Sequence, residues 1–282
     1  MTPIPVPIQY MVFSDLDGTL LDRETYDFHL ALEALDLINR KQIPLILCSS
    51  KTRAEMELLR VKLGNRHPFI VENGGAIFIP RGLFILEGFN VIIRDEYQVI
   101  ELGQPYKKIL QDFKNIKKET SIPALGFSDL SVEEISRLTG LSPEQALPAK
   151  EREYSEPFLY PKGLSPKEIS LWEQTARKMD LQITLGGRFF QLTGSNDKGR
   201  AVQILKHLYG EKFADPLISI GLGDSPNDFS LLQHVDIPVL LSKQADGFEP
   251  WPFPTPLQRP SEIGPKGWNT FILNFFAKED GP

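Results

Sequence analysis

At 282 residues the chain exceeds one minimal module and points to about two domains. Hydrophobic residues make up 41% and charged residues 24%, an ordinary globular balance that excludes disorder and fibrous repeats. The 31 Lys and Arg against 37 Asp and Glu give a formal charge of -6, so no basic excess recommends nucleic acid or an anionic membrane as a partner.

The opening residues, MTPIPVPIQYMVFSD, carry prolines and no cationic stretch ahead of an apolar run, so they do not read as a signal peptide. Nowhere do about 18 apolar residues follow one another, which leaves no transmembrane candidate and sets the expectation of a soluble, cytoplasmic protein. Short apolar runs ending in polar turns then recur. YMVFS (10–14) leads into DLDG, LILC (45–48) into SSKT, and LISIG (217–221) into LGDSPND. Ala31, Ala34, Leu35 and Ile38 hold helical i, i+3, i+4, i+7 spacing between the first two runs, and Ala201, Ile204, Leu205 and Leu208 repeat it before the third. Strands alternating with amphipathic helices predict an α/β fold with a parallel sheet covered on both faces. In such sheets the polar residues just past the strand ends converge on a ligand. The lone cysteine, Cys48, excludes an intrachain disulfide and reads as a small core residue.

The middle of the chain differs. FIVENGGAIFIP (69–80) reads as two strands around the Asn73-Gly74-Gly75 turn, and VIEL (99–102) as another strand. Tyr106, Ile109, Leu110, Phe113 and Ile116 mark a helix, and two more begin at Ser131 and Ser165, each with a Glu three residues on. This stretch supplies its own strands and helices. It predicts an inserted α/β domain at 88–188, with 1–87 and 189–282 forming a Rossmann-like core. The sheet pattern is expected to resume at GGRFFQLTG (186–194), and a Pro-rich segment (249–265) precedes a terminal helix at 268–277, where Trp251 and Trp268 read as packing residues.

The chemistry lies at the strand ends. Asp15 and Asp17 sit just past a buried strand, where unpaired negative charge is costly and calls for a cation. Asp224 and Asp228 form a second acidic pair after the third run, with Ser225 as an N-cap and Pro226 at the first helical position. Two acid clusters at strand ends suit an all-oxygen Mg²⁺ site, and such a cation commonly binds a substrate phosphate. The Ser49 hydroxyl can hold phosphate oxygens, or equally serve as a plain N-cap. Lys198 opens a helix, where the helix dipole disfavours an unpaired cation, so it reads as aimed at an anion or a carboxylate. The four histidines share no metal-ligand spacing.

In order, DLDGTLLD, the serine of CSSKT, Lys198 and GDSPND resemble the four motifs of the haloacid dehalogenase superfamily, with the insertion placed as in its Cof-like branch. That resemblance implies Asp15 as a nucleophile forming an aspartyl-phosphate and Asp17 as the acid that becomes the base. It further implies Mg²⁺ held by Asp15, the Asp17 carbonyl, Asp224 and Asp228, the last directly or through water, with Ser49 and Lys198 on the phosphoryl group. More narrowly, SSKTRAEM, VENGGAIFIP, REYSEPF, GGRFFQLTGSNDKGRAV and GPKGWN resemble the mannosyl-3-phosphoglycerate phosphatase family. The implied partner is a small phosphorylated sugar-glycerate. Arg188 is the first candidate for its carboxylate or phosphate, because a guanidinium grips either in two-point fashion. Lys51, Asn73, Arg152 and Glu156 are further candidates, and Arg152 and Glu156 read equally as a solvated loop. Rival readings are phosphatases of glucosyl-3-phosphoglycerate, sucrose-phosphate or glucosylglycerol-phosphate, a phosphomutase, and an inactive binding protein.

Overall fold

The computed structural model describes residues 9–160, 164–186, 189–213, 216–243 and 247–279. Its twelve described strands are, in chain order, β1 (Gln9–Ser14), β2 (Leu45–Cys48), β3 (Phe69–Val71), β4 (Ala76–Pro80), β5 (Val91–Arg94) and β6 (Tyr97–Glu101), then β7 (Leu125–Gly126), β8 (Ser155–Leu159), β9 (Gln182–Gly186), β10 (Phe189–Thr193), β11 (Leu217–Gly223) and β12 (Ile237–Leu240). The α-helices are α1 (Leu32–Arg40), α2 (Arg53–Leu63), α3 (Tyr106–Thr120), α4 (Val132–Thr139), α5 (Pro143–Lys150), α6 (Pro166–Lys178), α7 (Lys198–Lys212), α8 (Phe229–Gln233) and α9 (Gly264–Glu279).

Eight strands form one sheet in the order β12-β11-β1-β2-β3-β4-β6-β5, parallel from β12 to β3 and antiparallel beyond. Alternation along β1 explains its two covered faces. Val12 packs with Ala34, Ile38 and Trp268 under α1 and α9, while Met11 and Phe13 pack with Ala201, Leu205 and Leu208 under α7. The chain reverses its winding between β1 and β11, and open α/β sheets bind ligands outside the strand ends at such a point. Asp15 and Asp224 directly follow those two strands.

A second, four-stranded antiparallel sheet, β7-β8-β10-β9, carries α3 and α6 on one face through Phe113, Phe158, Trp172 and Leu192. A smaller cluster under α4 and α5 joins Phe127, Ile135, Ala146 and Phe189. Ser131 and Ser165 cap α4 and α6 as expected, and Ser142-Pro143 opens α5, a helix the sequence reading did not anticipate.

The sheet memberships correct the expected boundaries at 88 and 188. β5 and β6 pair onto β4 in the large sheet, and β10 pairs with β8 and β9 in the small one. The inserted segment therefore runs from about 102 to 196. An alternating hairpin has the same local pattern in either sheet, and only the long-range partner decides. No described helix is long and apolar enough to cross a membrane.

Candidate active site

Asp15 lies one residue past β1, and its amide donates to the Leu222 carbonyl of β11 at 2.9 Å, which fixes the carboxylate over the point where the winding reverses. Carboxylate oxygens of Asp15, Asp224 and Asp228 all lie within 4.8 Å of one another, and all three residues are buried. Lys198 is 0% exposed and reaches between two of them, with Nζ 2.7 Å from Asp15 Oδ1 and 2.7 Å from Asp228 Oδ1. It also donates to the Cys48 carbonyl at the end of β2. A cation at the start of a helix is thus explained by two carboxylates, which hold its pKa above the ordinary value although burial opposes this.

The turn after β11 is shaped by Asp228, whose Oδ2 accepts the amides of Asp224 and Ser225 at 3.0 Å each. Ser225 stands before the Pro226–Asp228 turn of 3-10 helix, but its hydroxyl donates to Asp224 Oδ1 at 2.6 Å rather than capping. Asp224 also pairs with Arg23, a residue the sequence reading passed over. Burial and the neighbouring Asp228 push the Asp15 carboxyl up to about 7 against the pull of Lys198. Burial likewise raises Asp224 and Asp228. Three carboxylates thus converge on two cations, Lys198 and Arg23, fewer than would neutralise all three. Gly18, at φ +85°, keeps the cradle open, since a Cβ there would fall 2.5 Å from Asp224 Oδ2. This hard-oxygen set fits a divalent cation such as Mg²⁺.

Asp17 stands at the cavity rim, half-buried. Lys51 Nζ binds its Oδ2 at 2.8 Å, while its Oδ1 is buried with no donor among the described residues. Lys51 also lies 5.0 Å from the Tyr26 ring, and Asp17 and Glu55 outweigh burial to keep it charged. Ser49 is buried at the end of β2 and accepts the Lys51 amide at 3.3 Å. It is not a cap, because Thr52 caps α2 by accepting the Glu55 amide.

Asn73 links loops rather than lining the cavity. Its amide donates to the Ser49 carbonyl at 2.9 Å, and its Oδ1 accepts Asn227 Nδ2 at 3.3 Å. The following Gly74, at φ +89°, lets the turn pack on Asp197, whose carbonyl a Cβ would meet at 2.1 Å.

Arg152 and Glu156 part company, and neither sits in a solvated loop. Arg152 is buried at the cavity wall, where Nη2 donates to the Ser50 carbonyl at 2.9 Å and Nε faces Glu72 at 3.4 Å. Glu72 is fully buried and also accepts the amides of Glu153 and Tyr154 and the Ser155 hydroxyl. These contacts pin the middle of the inserted segment to the core. Glu156, on β8, points away from the cavity, accepting Tyr106 Oη at 2.6 Å and the Ser128 amide and hydroxyl. It is a strut within the small domain, buried enough that its carboxyl is raised. Arg188 lies outside the described residues.

Between the two domains lies a cavity of about 220 Å³, with Asp15, Asp17, Lys51 and Arg23 on the core side and Phe127, Phe189 and Gln191 on the other. Glu72, Tyr26 and Gln191 were also missed by the sequence reading. For Gln191 a signal existed, since it is the one polar residue between aromatic and aliphatic neighbours in FFQLT.

A family model described as haloacid dehalogenase-like hydrolase matches residues 12–126. A glucosyl-3-phosphoglycerate/mannosyl-3-phosphoglycerate phosphatase from Methanococcoides burtonii is 42% identical over 275 residues, covering 97% of this chain and 99% of that protein. A mannosyl-3-phosphoglycerate phosphatase from Pyrococcus furiosus is 38% identical over 232 residues, covering 82% and 90%. A solved structure from Thermoplasma acidophilum shares the fold with a TM-score of 0.66 at 18% identity, covering 96% of this chain and 99% of that one. The chain belongs to the haloacid dehalogenase-like hydrolases, in the branch of the glucosyl-3-phosphoglycerate and mannosyl-3-phosphoglycerate phosphatases, and is a phosphoric monoester hydrolase.

Proposed function

We propose that the chain is a Mg²⁺-dependent phosphatase that hydrolyses mannosyl-3-phosphoglycerate to mannosylglycerate and phosphate through an aspartyl-phosphate. The observation that carries the reading is the convergence of Asp224, Asp228 and Lys198 on Asp15, which lines a cavity with Asp17 at its rim. The M. burtonii relative, whose name includes both sugars, supports glucosyl-3-phosphoglycerate as a second substrate.

In this mechanism an Asp15 oxygen attacks phosphorus as the bond to the glycerate oxygen breaks, and Asp17 donates its proton to that departing oxygen. Water then attacks the phosphorus of the aspartyl-phosphate, Asp17 takes the water's proton, and inorganic phosphate leaves with Asp15 regenerated. Lys51, 2.8 Å from Asp17, aims that carboxyl across the rim. Lys198 and Ser49 hold the phosphoryl oxygens, where charge spreads during transfer. Asp15, Asp224 and Asp228, with the Asp17 carbonyl, would hold Mg²⁺, which offsets the substrate's negative charge when bound.

The test is a phosphate-release screen over mannosyl- and glucosyl-3-phosphoglycerate, sucrose-phosphate and glucosylglycerol-phosphate, with Mg²⁺ and after exhaustive chelation. The mannosyl compound should be among the best substrates and chelation should stop turnover. Preference for sucrose-phosphate, or full rate without metal, would overturn the reading. Asp15→Asn should abolish turnover with the fold intact, and substantial residual activity would remove Asp15 as nucleophile.

A further inference from the structure

The cavity wall furthest in character from the carboxylate floor is built by β8 and β10. Cross-strand partners in an antiparallel pair share a face. Gln191 pairs with Pro157, and Phe189 lies two residues away on the same face, so these three side chains look into the cavity. Leu192, Phe190, Phe158 and Glu156 occupy the other face, against the helices. Phe189 meets Phe127 edge to face at 5.0 Å, and Leu141 extends the apolar wall.

Gln191 is the polar exception on this wall. It is 6% exposed, and its Oε1 is buried with no hydrogen-bond donor among the described residues. An unmet buried acceptor is destabilising, and buried polar atoms are generally paired. A ligand in the cavity can supply the missing donor. At neutral pH the carboxylate and the phosphate of a phosphoglycerate offer essentially no donors, and they are drawn to the Lys51, Arg23 and Lys198 side. A sugar ring offers hydroxyl donors and apolar C–H faces together, and pockets built for one orientation combine an apolar lining with a few placed polar atoms in this way.

We propose that Gln191 is a specificity-determining residue whose Oε1 accepts a hydrogen bond from a sugar hydroxyl, with the ring packed on Phe127, Phe189 and Pro157. This rests on the reading of the substrate as a glycosyl phosphoglycerate.

The experiment compares kcat/KM for mannosyl-3-phosphoglycerate with that for 3-phosphoglycerate, which keeps both anions and lacks the sugar. Gln191→Leu preserves volume and removes the acceptor, and it should lower the ratio of the two about tenfold, mainly through KM for the glycosylated substrate. Gln191→Glu, which keeps an acceptor, should retain more of the ratio than Gln191→Leu. A change under threefold in Gln191→Leu, or an equal loss on both substrates, overturns the assignment. Should the leucine variant fail to fold, the side-chain amide resonance of Gln191 in the ¹⁵N-labelled wild type is followed on adding mannosylglycerate or glycerate. A shift with the first alone supports the proposal, and none with either defeats it. If the wild type does not hydrolyse glycosyl phosphoglycerates, the substrate reading fails on its own. Gln191 is then judged by the same ratio between a hexose phosphate and glycerol phosphate.

Discussion

Glu72→Gln isolates the energetics of the contact that pins the inserted domain. The carboxylate is fully buried and accepts from the Glu153 amide at 2.8 Å, the Tyr154 amide at 3.0 Å and the Ser155 hydroxyl at 2.6 Å, with Arg152 Nε facing it as an ion-pair partner at 3.4 Å. An amide keeps the shape but presents one NH₂, so whichever way it turns, at least one buried donor faces another donor. That orphaned group costs about 1–3 kcal/mol. The pH dependence follows from a cycle. Burial raises the Glu72 carboxyl above its ordinary value of 4.5 despite Arg152 and the hydrogen bonds. A carboxyl raised in the folded state gives its full contribution below the unfolded value and loses it as pH rises through the folded one. Glutamine does not titrate there. The wild type's advantage should therefore be greatest below about pH 4.5 and narrow as the pH rises above it, read by urea unfolding on both sides of that value. An advantage that widens with pH would mean that Arg152 and the amides outweigh burial, and would refute the argument.

Lys198→Met, measured without metal, should cost about 3–5 kcal/mol because Asp15 and Asp228 lose their shared buried cation. A urea-unfolding difference below about 1 kcal/mol would contradict this. Gly18→Ala should cost about 1–2 kcal/mol from its left-handed φ. By displacing Asp224 it should also weaken Mg²⁺ binding about tenfold or more by calorimetry, and unchanged affinity would show the cradle is not tight there. Asp236 is lowered because the Ser219 hydroxyl and amide and Lys206 outweigh its burial. Its contribution is present above the usual carboxylate value near pH 4 and lost below it, so Asp236→Asn should flatten the acid limb of the stability curve. An unchanged acid limb counts against this.

Legibility followed the range of the interaction. β1, β2 and β11 announce themselves as apolar runs, and the carboxylates at their ends needed no knowledge of partners. The same holds for Ser131 and Ser165, whose capping glutamates lie three residues away. Strand membership did not, because the VIEL (99–102) strand has the same local pattern whichever sheet receives it. Arg152 and Glu156 look alike in REYSEPF, yet one borders the cavity and the other turns away, a distinction set by distant partners, the Ser50 carbonyl and Glu72 for Arg152 and Tyr106 and Ser128 for Glu156. Arg23 and Glu72 became visible only when chain folding brought them to Asp224 and Arg152.

The wiring of the large sheet also governs the order in which a growing chain can complete it. β1 leaves the ribosome early, with β2 soon available along one edge, but its other neighbour, β11, follows the entire inserted domain. Lys198 and Asp15 are separated by 183 positions, so during most of synthesis the acidic floor lacks its cation. Met11 and Phe13 lack their α7 cover over the same interval. The nascent protein thus carries an unpaired strand edge until a late long-range closure, the kind of contact that slows folding and invites association. Conditions that delay β11 should affect recovery of the whole enzyme more than changes confined to the inserted domain.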